Sequence, residues 1–251
     1  MGNKKLIIAN WKCNPTSQKE AEHIFEVVRK GIVNFGLRKN IEIVICPPYV
    51  FLSSVKGKRS SIKLGAQNCF YEKKGAYTGE ISPLMLKDQG VKYVIIGHSE
   101  RRRYLKETDE IINKKIKMAL KSGLCPILCI GEEERNSSSN IIKEQLKKGL
   151  NEISFSKVVN VIIAYEPVWA IGTGNACVPE EVLKINLFIK KILTQLYNRK
   201  IAEKIKIIYG GSVNSKNAID YIKEARMDGL LVGGASLNAT EFIKIIKAVG
   251  N

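Results

Sequence analysis

Two segments near the end of the chain share one pattern: residues 205–212 read IKIIYGGS, and residues 229–236 read GLLVGGAS. In each, a mainly apolar run is followed by a pair of glycines, and a helical pattern comes after the glycines. A continuous apolar run, unlike an alternating one, is typical of a strand buried on both faces of a parallel sheet. The pattern therefore predicts parallel strands that are each followed by a helix.

The same strand–helix unit recurs eight times along the 251 residues, about 31 residues per unit, which is the length of one βα step. The clearest helix is predicted over Pro179–Tyr197, where Pro179 suits the first turn and apolar residues recur at helical spacing. The predicted strands are Leu6–Ala9, Ile41–Ile45, Ile62–Ala66, Val91–Ile96, Pro126–Ile130, Val159–Ala164, Ile205–Tyr209 and Gly229–Val232.

Eight such units can form an open doubly wound sheet or a closed barrel. An open dinucleotide-binding sheet would carry G-x-G-x-x-G after its first strand, but residues 10–14 read NWKCN. The closed form is favoured, so we predict an α/β fold in which residues 1–251 form a single (β/α)8 barrel domain, with eight parallel strands ringed by helices. Active sites of such barrels lie at the C-terminal ends of the strands.

The charge of the chain raises a different class of function. Lys and Arg number 41 and Asp and Glu 24, so the formal charge is +17. A basic surface attracts nucleic acid or anionic membranes. The excess is spread along the whole chain without a basic arm or tail, which favours an ordinary solvated surface.

Location and metal content follow from simpler features. The apolar runs fall far short of the ~20 residues of a membrane span. The six cysteines and two histidines lack metal-ligand spacing, so no metal site is predicted. A strand pattern that begins by Lys5 leaves no room for a cleavable leader, and we expect a cytoplasmic protein.

The glycine pairs indicate a phosphate site. Gly210–Gly211 and Gly233–Gly234 follow the seventh and eighth strands, where barrels of this type commonly hold phosphate. Glycine lets bare backbone approach an anion, and each pair precedes helical N–H groups that have no partner within the helix. One such pair alone is more often a tight connection, whereas two in these positions favour a phosphate cradle.

Four polar residues stand at other strand ends. Glu166 directly follows the sixth apolar run, where a carboxylate is costly to bury unless it is paired or used. His98 follows the fourth run at a helix start, which disfavours the charged imidazole. Asn10 and Lys12 follow the first run and supply a hydrogen-bond donor and a cation. Together with the cradle, this set predicts proton abstraction next to a carbonyl in a phosphorylated substrate.

At this point the sequence resembles the triosephosphate isomerase family over essentially its whole length. The motifs that carry the resemblance include residues 9–12 (ANWK), 77–82 (YTGEIS), 97–102 (GHSERR), 164–174 (AYEPVWAIGTG), 209–213 (YGGSV) and 231–237 (LVGGASL). The glutamate segment and the histidine turn, in this order, are the specific ones.

The resemblance implies an isomerase of glycolysis and gluconeogenesis that interconverts dihydroxyacetone phosphate and D-glyceraldehyde 3-phosphate. It implies Glu166 as the base, neutral His98 as the proton shuttle, and Lys12 with Asn10 as stabilisers of negative charge. The residues that it implies for phosphate binding are Gly172, Ser212, Gly233 and Gly234. No cofactor is needed, because substrate and product differ only in proton positions.

Further roles come from the resemblance alone. Glu100, with Ser99 beside it, corresponds to a supporting carboxylate near Lys12. Thr78 lies in a loop that reaches a partner subunit near that subunit's Asn10 and Lys12, so a homodimer is implied. Cys13 stands where methionine is frequent, and we hypothesise that this thiol is a vulnerable point of the dimer.

Some positions depart from the family pattern, and two alternatives to this function remain. Asn175 and Ala176 replace the usual pair at the end of the loop after Glu166, and Lys106 stands where glycine is common. A different phosphate-binding barrel enzyme would keep the cradle but not the specific segment around Glu166. A nucleic-acid-binding protein rests on the charge of +17 alone.

Overall fold

A computed structural model describes residues 4–34, 40–56, 61–135, 140–170 and 176–250. Eight parallel strands form a closed barrel in sequence order, which confirms the predicted (β/α)8 fold. The strands are β1 (Lys5–Asn10), β2 (Ile41–Cys46), β3 (Lys63–Ala66), β4 (Val91–Ile96), β5 (Cys125–Ile130), β6 (Ile162–Tyr165), β7 (Ile207–Tyr209) and β8 (Gly229–Val232).

Helices cover the outside of this barrel. They are α1 (Gln18–Asn34), α2 (Leu52–Val55), α3 (Pro83–Asp88), α4 (Ser99–Leu105), α5 (Asp109–Lys121), α6 (Asn140–Gly149), α7 (Phe155–Val158), α8 (Pro179–Leu196), α9 (Arg199–Ala202), α10 (Ala218–Lys223) and α11 (Ala239–Gly250). Short 3₁₀ helices lie at Tyr49–Phe51, Val168–Ala170 and Gly234–Leu237. No helix in the described part of the chain is both long and apolar enough to cross a membrane.

The barrel closes where β1 pairs with β8, in register from Leu6 opposite Gly229 to Ala9 opposite Val232. Glycine is required at position 229, because a Cβ there would lie 2.0 Å from the carbonyl oxygen of Leu6. Ring closure places the end of β1 beside the end of β8, so their loops share one face of the barrel.

The strands are buried on both faces, as their continuous apolar runs predict. On β1, Leu6 and Ile8 fill the barrel interior, while Ile7 and Ala9 pack in the layer between strands and helices. Side chains of a strand alternate between its faces, so each strand contributes to both layers.

Three strand starts were predicted too early, that of β3 by one residue and those of β6 and β7 by more. The run from Val159 was assigned to β6, but α7 ends at Val158 and a turn precedes the strand, which begins at Ile162. The seventh strand begins at Ile207 and not at Ile205. Apolar residues cover the buried side of a helix end as well as a strand, so composition alone does not separate the two. The helix predicted over Pro179–Tyr197 is confirmed as Pro179–Leu196.

Candidate active site

The side-chain alternation of the strands brings the candidate residues to one mouth of the barrel. Leu6 and Ile8 point inward on β1, as do Ile162 and Ala164 on β6. A period of two makes Asn10 and Glu166 the next inward positions. Both are buried, with 5% and 2% of their surface exposed.

Glu166 is held at the mouth by the start of α4. The backbone N–H of Ser99 donates to Glu166 Oε2 at 3.0 Å, and His98 Nε2 lies 3.4 Å from Oε1. Oε1 is buried, and among the described residues it has no hydrogen-bond partner. In this position the carboxylate accepts a hydrogen bond through only one of its two oxygens.

His98 caps the N-terminus of α4 and lies at the same mouth. Its Nδ1 accepts the backbone N–H of Glu100 at 3.2 Å. A nitrogen that accepts this bond carries no proton, which places the ring proton on Nε2. The Glu100 carboxylate lies 3.6 Å from Nδ1, but its charge is shared with Lys12. Nε2 is thus a donor that faces Glu166.

Lys12 is held in place by contacts from the end of β1, from the residue after β3 and from α4. Its Nζ donates to Glu100 Oε1 at 2.6 Å, and its backbone N–H donates to Asn10 Oδ1 at 3.0 Å. Gln67 Nε2 donates to the carbonyl oxygens of Lys12 and Cys46, both at 2.9 Å. Lys12 has a positive φ of 55°, an uncommon backbone conformation for a side chain of this kind. These contacts direct the cation toward the mouth.

A cavity of about 420 Å³ opens beside these groups. Gly233 lies close to the lysine, since a Cβ there would be 3.3 Å from Lys12 Cε. Gly234 begins the 3₁₀ helix after β8, and Ser212 follows the glycine pair after β7. Residues lining the cavity include Asn10, Lys12, His98, Gly210, Gly211, Ser212, Gly233 and Gly234.

Other predicted site residues lie elsewhere. Gly172 and Asn175 fall outside the described residues. Cys13 follows Lys12 and is exposed. Thr78 lies in an exposed segment, residues 73–80, well along the chain from the other site residues. Lys106 ends α4 with φ 53° and ψ 34°, the left-handed conformation that glycine adopts most easily.

Two groups around Glu166 were missed from the sequence. Cys129 lies inside the barrel, and the pKa of its thiol is well above the usual value because of burial and the adjacent Glu166 carboxylate. Glu132 Oε1 accepts from Tyr165 Oη at 2.8 Å and from Trp169 Nε1 at 3.0 Å. Glu132 comes soon after an apolar strand, as Glu166 does, and that signal could have identified it.

The arrangement defines a class of protein. A closed parallel barrel presents a buried carboxylate, an imidazole and a lysine at its C-terminal mouth, next to glycine turns that suit an anion. Such a set can move protons within a small anionic substrate. The protein is a (β/α)8-barrel enzyme.

Comparison with known proteins gives the family. The family model described as "Triosephosphate isomerase" matches residues 5–249. Triosephosphate isomerase of Dictyoglomus thermophilum is 46% identical over 251 residues, which covers 98% of this chain and 99% of the relative. The enzymes of Endomicrobium trichonymphae and Alkaliphilus oremlandii are also 46% identical, over 97% of this chain and 98% of each relative.

The chain belongs to the triosephosphate isomerase family. It is an isomerase, and the reaction of the family is the interconversion of dihydroxyacetone phosphate and D-glyceraldehyde 3-phosphate in glycolysis.

Proposed function

We propose that the chain performs this interconversion with Glu166 as the catalytic base. Glu166 takes a proton from the carbon beside the carbonyl, which leaves an enediolate, and returns it to the neighbouring carbon. His98 donates its Nε2 proton to the substrate oxygens and moves their protons between them. Lys12 and Asn10 stabilise the negative charge that develops on those oxygens. Substrate and product are isomers, so the reaction consumes no oxidant or reductant and needs no redox cofactor.

The observation that carries this proposal is the environment of Glu166. The carboxylate is 2% exposed, accepts one backbone N–H and lies 3.4 Å from an imidazole. Burial excludes water that would compete for the carboxylate or react with the intermediate. Because Glu166 lies behind the residues that line the cavity, its carboxylate has to leave the Ser99 N–H to reach a substrate carbon. Ser99 and Glu100 therefore support Glu166 and Lys12 and do not react.

The phosphate group is proposed to bind on the other side of the cavity, at Ser212, Gly233 and Gly234, with Gly172 as a further contact. Support comes from the two glycine turns and from Lys12 beside Gly233. Backbone N–H groups at such turns bind phosphate without a dedicated cation. This leaves Lys12 free to serve the reacting oxygens as well.

A homodimer is proposed from the exposed segment around Thr78. The backbone N–H of Phe70 donates to Ile81 O at 2.8 Å, which closes the base of this segment. Tyr77 in this segment is 44% exposed, so its ring is available to pack on a partner subunit. In the proposed dimer the segment covers Cys13 of the other subunit.

Two further assignments complete the proposal. We place the protein in the cytoplasm, where glycolysis operates, and its six cysteines are all unpaired. We also assign residues 1–251 to one domain, because one closed sheet takes its first strand from Lys5 and the last helix ends at Gly250.

The test is a coupled assay with D-glyceraldehyde 3-phosphate on the wild-type protein and on Glu166→Gln. Loss of a general base is expected to lower kcat by about 10²–10⁴-fold. The matched control is Glu152→Gln, which removes an exposed carboxylate. This carboxylate pairs with Lys117, which lies 35 residues earlier in the sequence. Equal rates for wild type and Glu166→Gln would refute Glu166 as the base.

A further inference from the structure

A buried tyrosine, Tyr221 on α10, contacts both segments that lead into the phosphate site. Its hydroxyl donates to the carbonyl oxygen of Cys177 at 2.8 Å. Cys177 is 2% exposed and lies just before α8, at the end of the segment that follows Glu166. The Tyr221 ring stacks on the Tyr209 ring, with centroids 3.9 Å apart and planes at 24°.

Tyr209 in turn supports the glycine turn after β7. A Cβ at Gly211 would lie 2.3 Å from the Tyr209 hydroxyl oxygen and 3.1 Å from Pro167 Cγ. The Tyr209 ring therefore lies directly against the backbone of Gly211, which precedes Ser212. Burial raises the pKa of the Tyr209 hydroxyl, and the adjacent Tyr221 hydroxyl raises it further, so Tyr209 is uncharged at neutral pH.

We propose that Tyr221 is a positioning residue for phosphate binding. Its hydroxyl holds the backbone at Cys177, and its ring holds Tyr209 under the Gly211–Ser212 turn. One side chain thus sets the distance between Cys177, at the end of the segment that follows Glu166, and the Gly211–Ser212 turn, which is proposed to bind the phosphate. This inference rests on the proposed function, because it assigns a role in binding the phosphate of that substrate.

The contacts of Tyr221 and of Glu166 predict which kinetic constant depends on Tyr221. In this structure Glu166 accepts the Ser99 N–H and lies 3.4 Å from His98 Nε2, both at the start of α4. Loss of the Tyr221 hydroxyl removes neither of these contacts, and we expect it to loosen the phosphate contacts. An interaction of this kind contributes to KM more than to kcat.

The experiment compares wild type with Tyr221→Phe, which keeps the stacked ring and removes the hydroxyl. We expect KM for D-glyceraldehyde 3-phosphate and the inhibition constant of inorganic phosphate to rise together, each about tenfold. Tenfold corresponds to about 1.4 kcal/mol of binding free energy. The value of kcat is expected to change by less than about threefold.

Tyr197→Phe is the matched control. The Tyr197 hydroxyl also donates to backbone carbonyls, those of Leu150 at 3.2 Å and Ile153 at 3.1 Å, and its ring meets Phe155 edge-on. It is half-buried and not among the residues around the mouth. This variant loses a similar hydrogen bond, so it shares the effect on stability, and we expect both constants for it to stay at the wild-type values.

Unfolding curves of all three proteins set an assay temperature at which each is folded. Wild-type constants in Tyr221→Phe, or equal rises in both variants, would overturn the positioning role while the isomerase activity stands. A wild-type protein without isomerase activity would instead refute the proposed function.

Discussion

The buried ion pair between Lys115 and Glu107 allows a sharp prediction about stability. Lys115 Nζ lies 2.5 Å from Glu107 Oε1 and donates to Asn68 Oδ1 at 2.8 Å. The two charged side chains are only 4% and 6% exposed. Burial lowers the pKa of Lys115, while the hydrogen bond to Glu107 acts in the opposite direction. We expect Lys115→Met to destabilise the protein strongly, because it leaves a buried carboxylate short of a partner.

The expected loss follows from what remains around Glu107. Removing one member of a buried pair costs about 3–5 kcal/mol. Arg101 Nε still donates to the same oxygen at 2.6 Å, which places the loss near the lower limit, about 3 kcal/mol. For a chain of this size, that corresponds to a fall in Tm of roughly 6–12 °C.

The control lies two residues along the same helix. Lys117 pairs with Glu152 at 2.7 Å, but this pair is exposed to solvent. Lys117→Met is therefore expected to leave stability within the error of the measurement. Thermal and urea unfolding are followed by far-UV circular dichroism at one protein concentration, since a dimer would make Tm depend on concentration.

Equal losses in the two variants would refute the argument that burial decides the strength of the pair. A second variant tests the cause directly. In the Lys115→Met background, Glu107→Gln removes the buried charge that has lost one of its two cationic partners, and it is expected to restore part of the lost stability. A further loss of the same size would show that the carboxylate was not the source of the cost.

Three more predictions concern acid stability, thiol reagents and salt. Burial alone would raise the pKa of Glu42, yet hydrogen bonds from Lys92 and Tyr93 bring it below its ordinary 4.5. Glu42 therefore stabilises the fold above about pH 4.5, and this contribution disappears as the pH falls through the lower folded-state value. Acid titrations should give a shallower slope below pH 4.5 for Glu42→Gln, and identical slopes would contradict this. A thiol reagent should inactivate or dissociate the wild-type protein faster than Cys13→Met, and equal sensitivity would reject Cys13 as the vulnerable thiol. If the charge of +17 steers anionic substrates inward, kcat/KM should fall with ionic strength at fixed pH, whereas a flat profile would mean that this charge has no steering role.

Local pattern was enough to predict most of the fold. The apolar runs located all eight strands, and ordinary helix signals located α8 from Pro179. The errors fall where an apolar run crosses two elements, as between α7 and β6, where Val158 ends a helix and Ile162 begins a strand. Burial is common to both, so the boundary depends on backbone geometry that composition does not encode.

Polar residues at the ends of apolar strands were enough to predict Glu166, His98 and Lys12 as site candidates, because burying a polar group there is costly unless the group is paired or used. The same signal applies to Gln67, which directly follows β3 but was given no role, whereas Tyr221 lies inside α10 and carries no such signal. Gln67 reaches Lys12 across 55 residues of sequence, and Tyr221 reaches Cys177 across 44. Residues of these types occur on any surface, and their neighbours along the chain carry no sign of such distant partners.

Sequence by itself thus determined the parallel strands, their eight-fold repetition and the residues at their C-terminal ends, since periodicity and side-chain type are local properties. Only the closed barrel decided how those residues meet. Pairing of β1 with β8 brings Lys12 beside Gly233, and the start of α4 turns the Ser99 N–H onto Glu166. Hydrogen bonds and charge pairs act over a few ångströms, so their partners are set by the path of the whole chain, which only the folded structure defines.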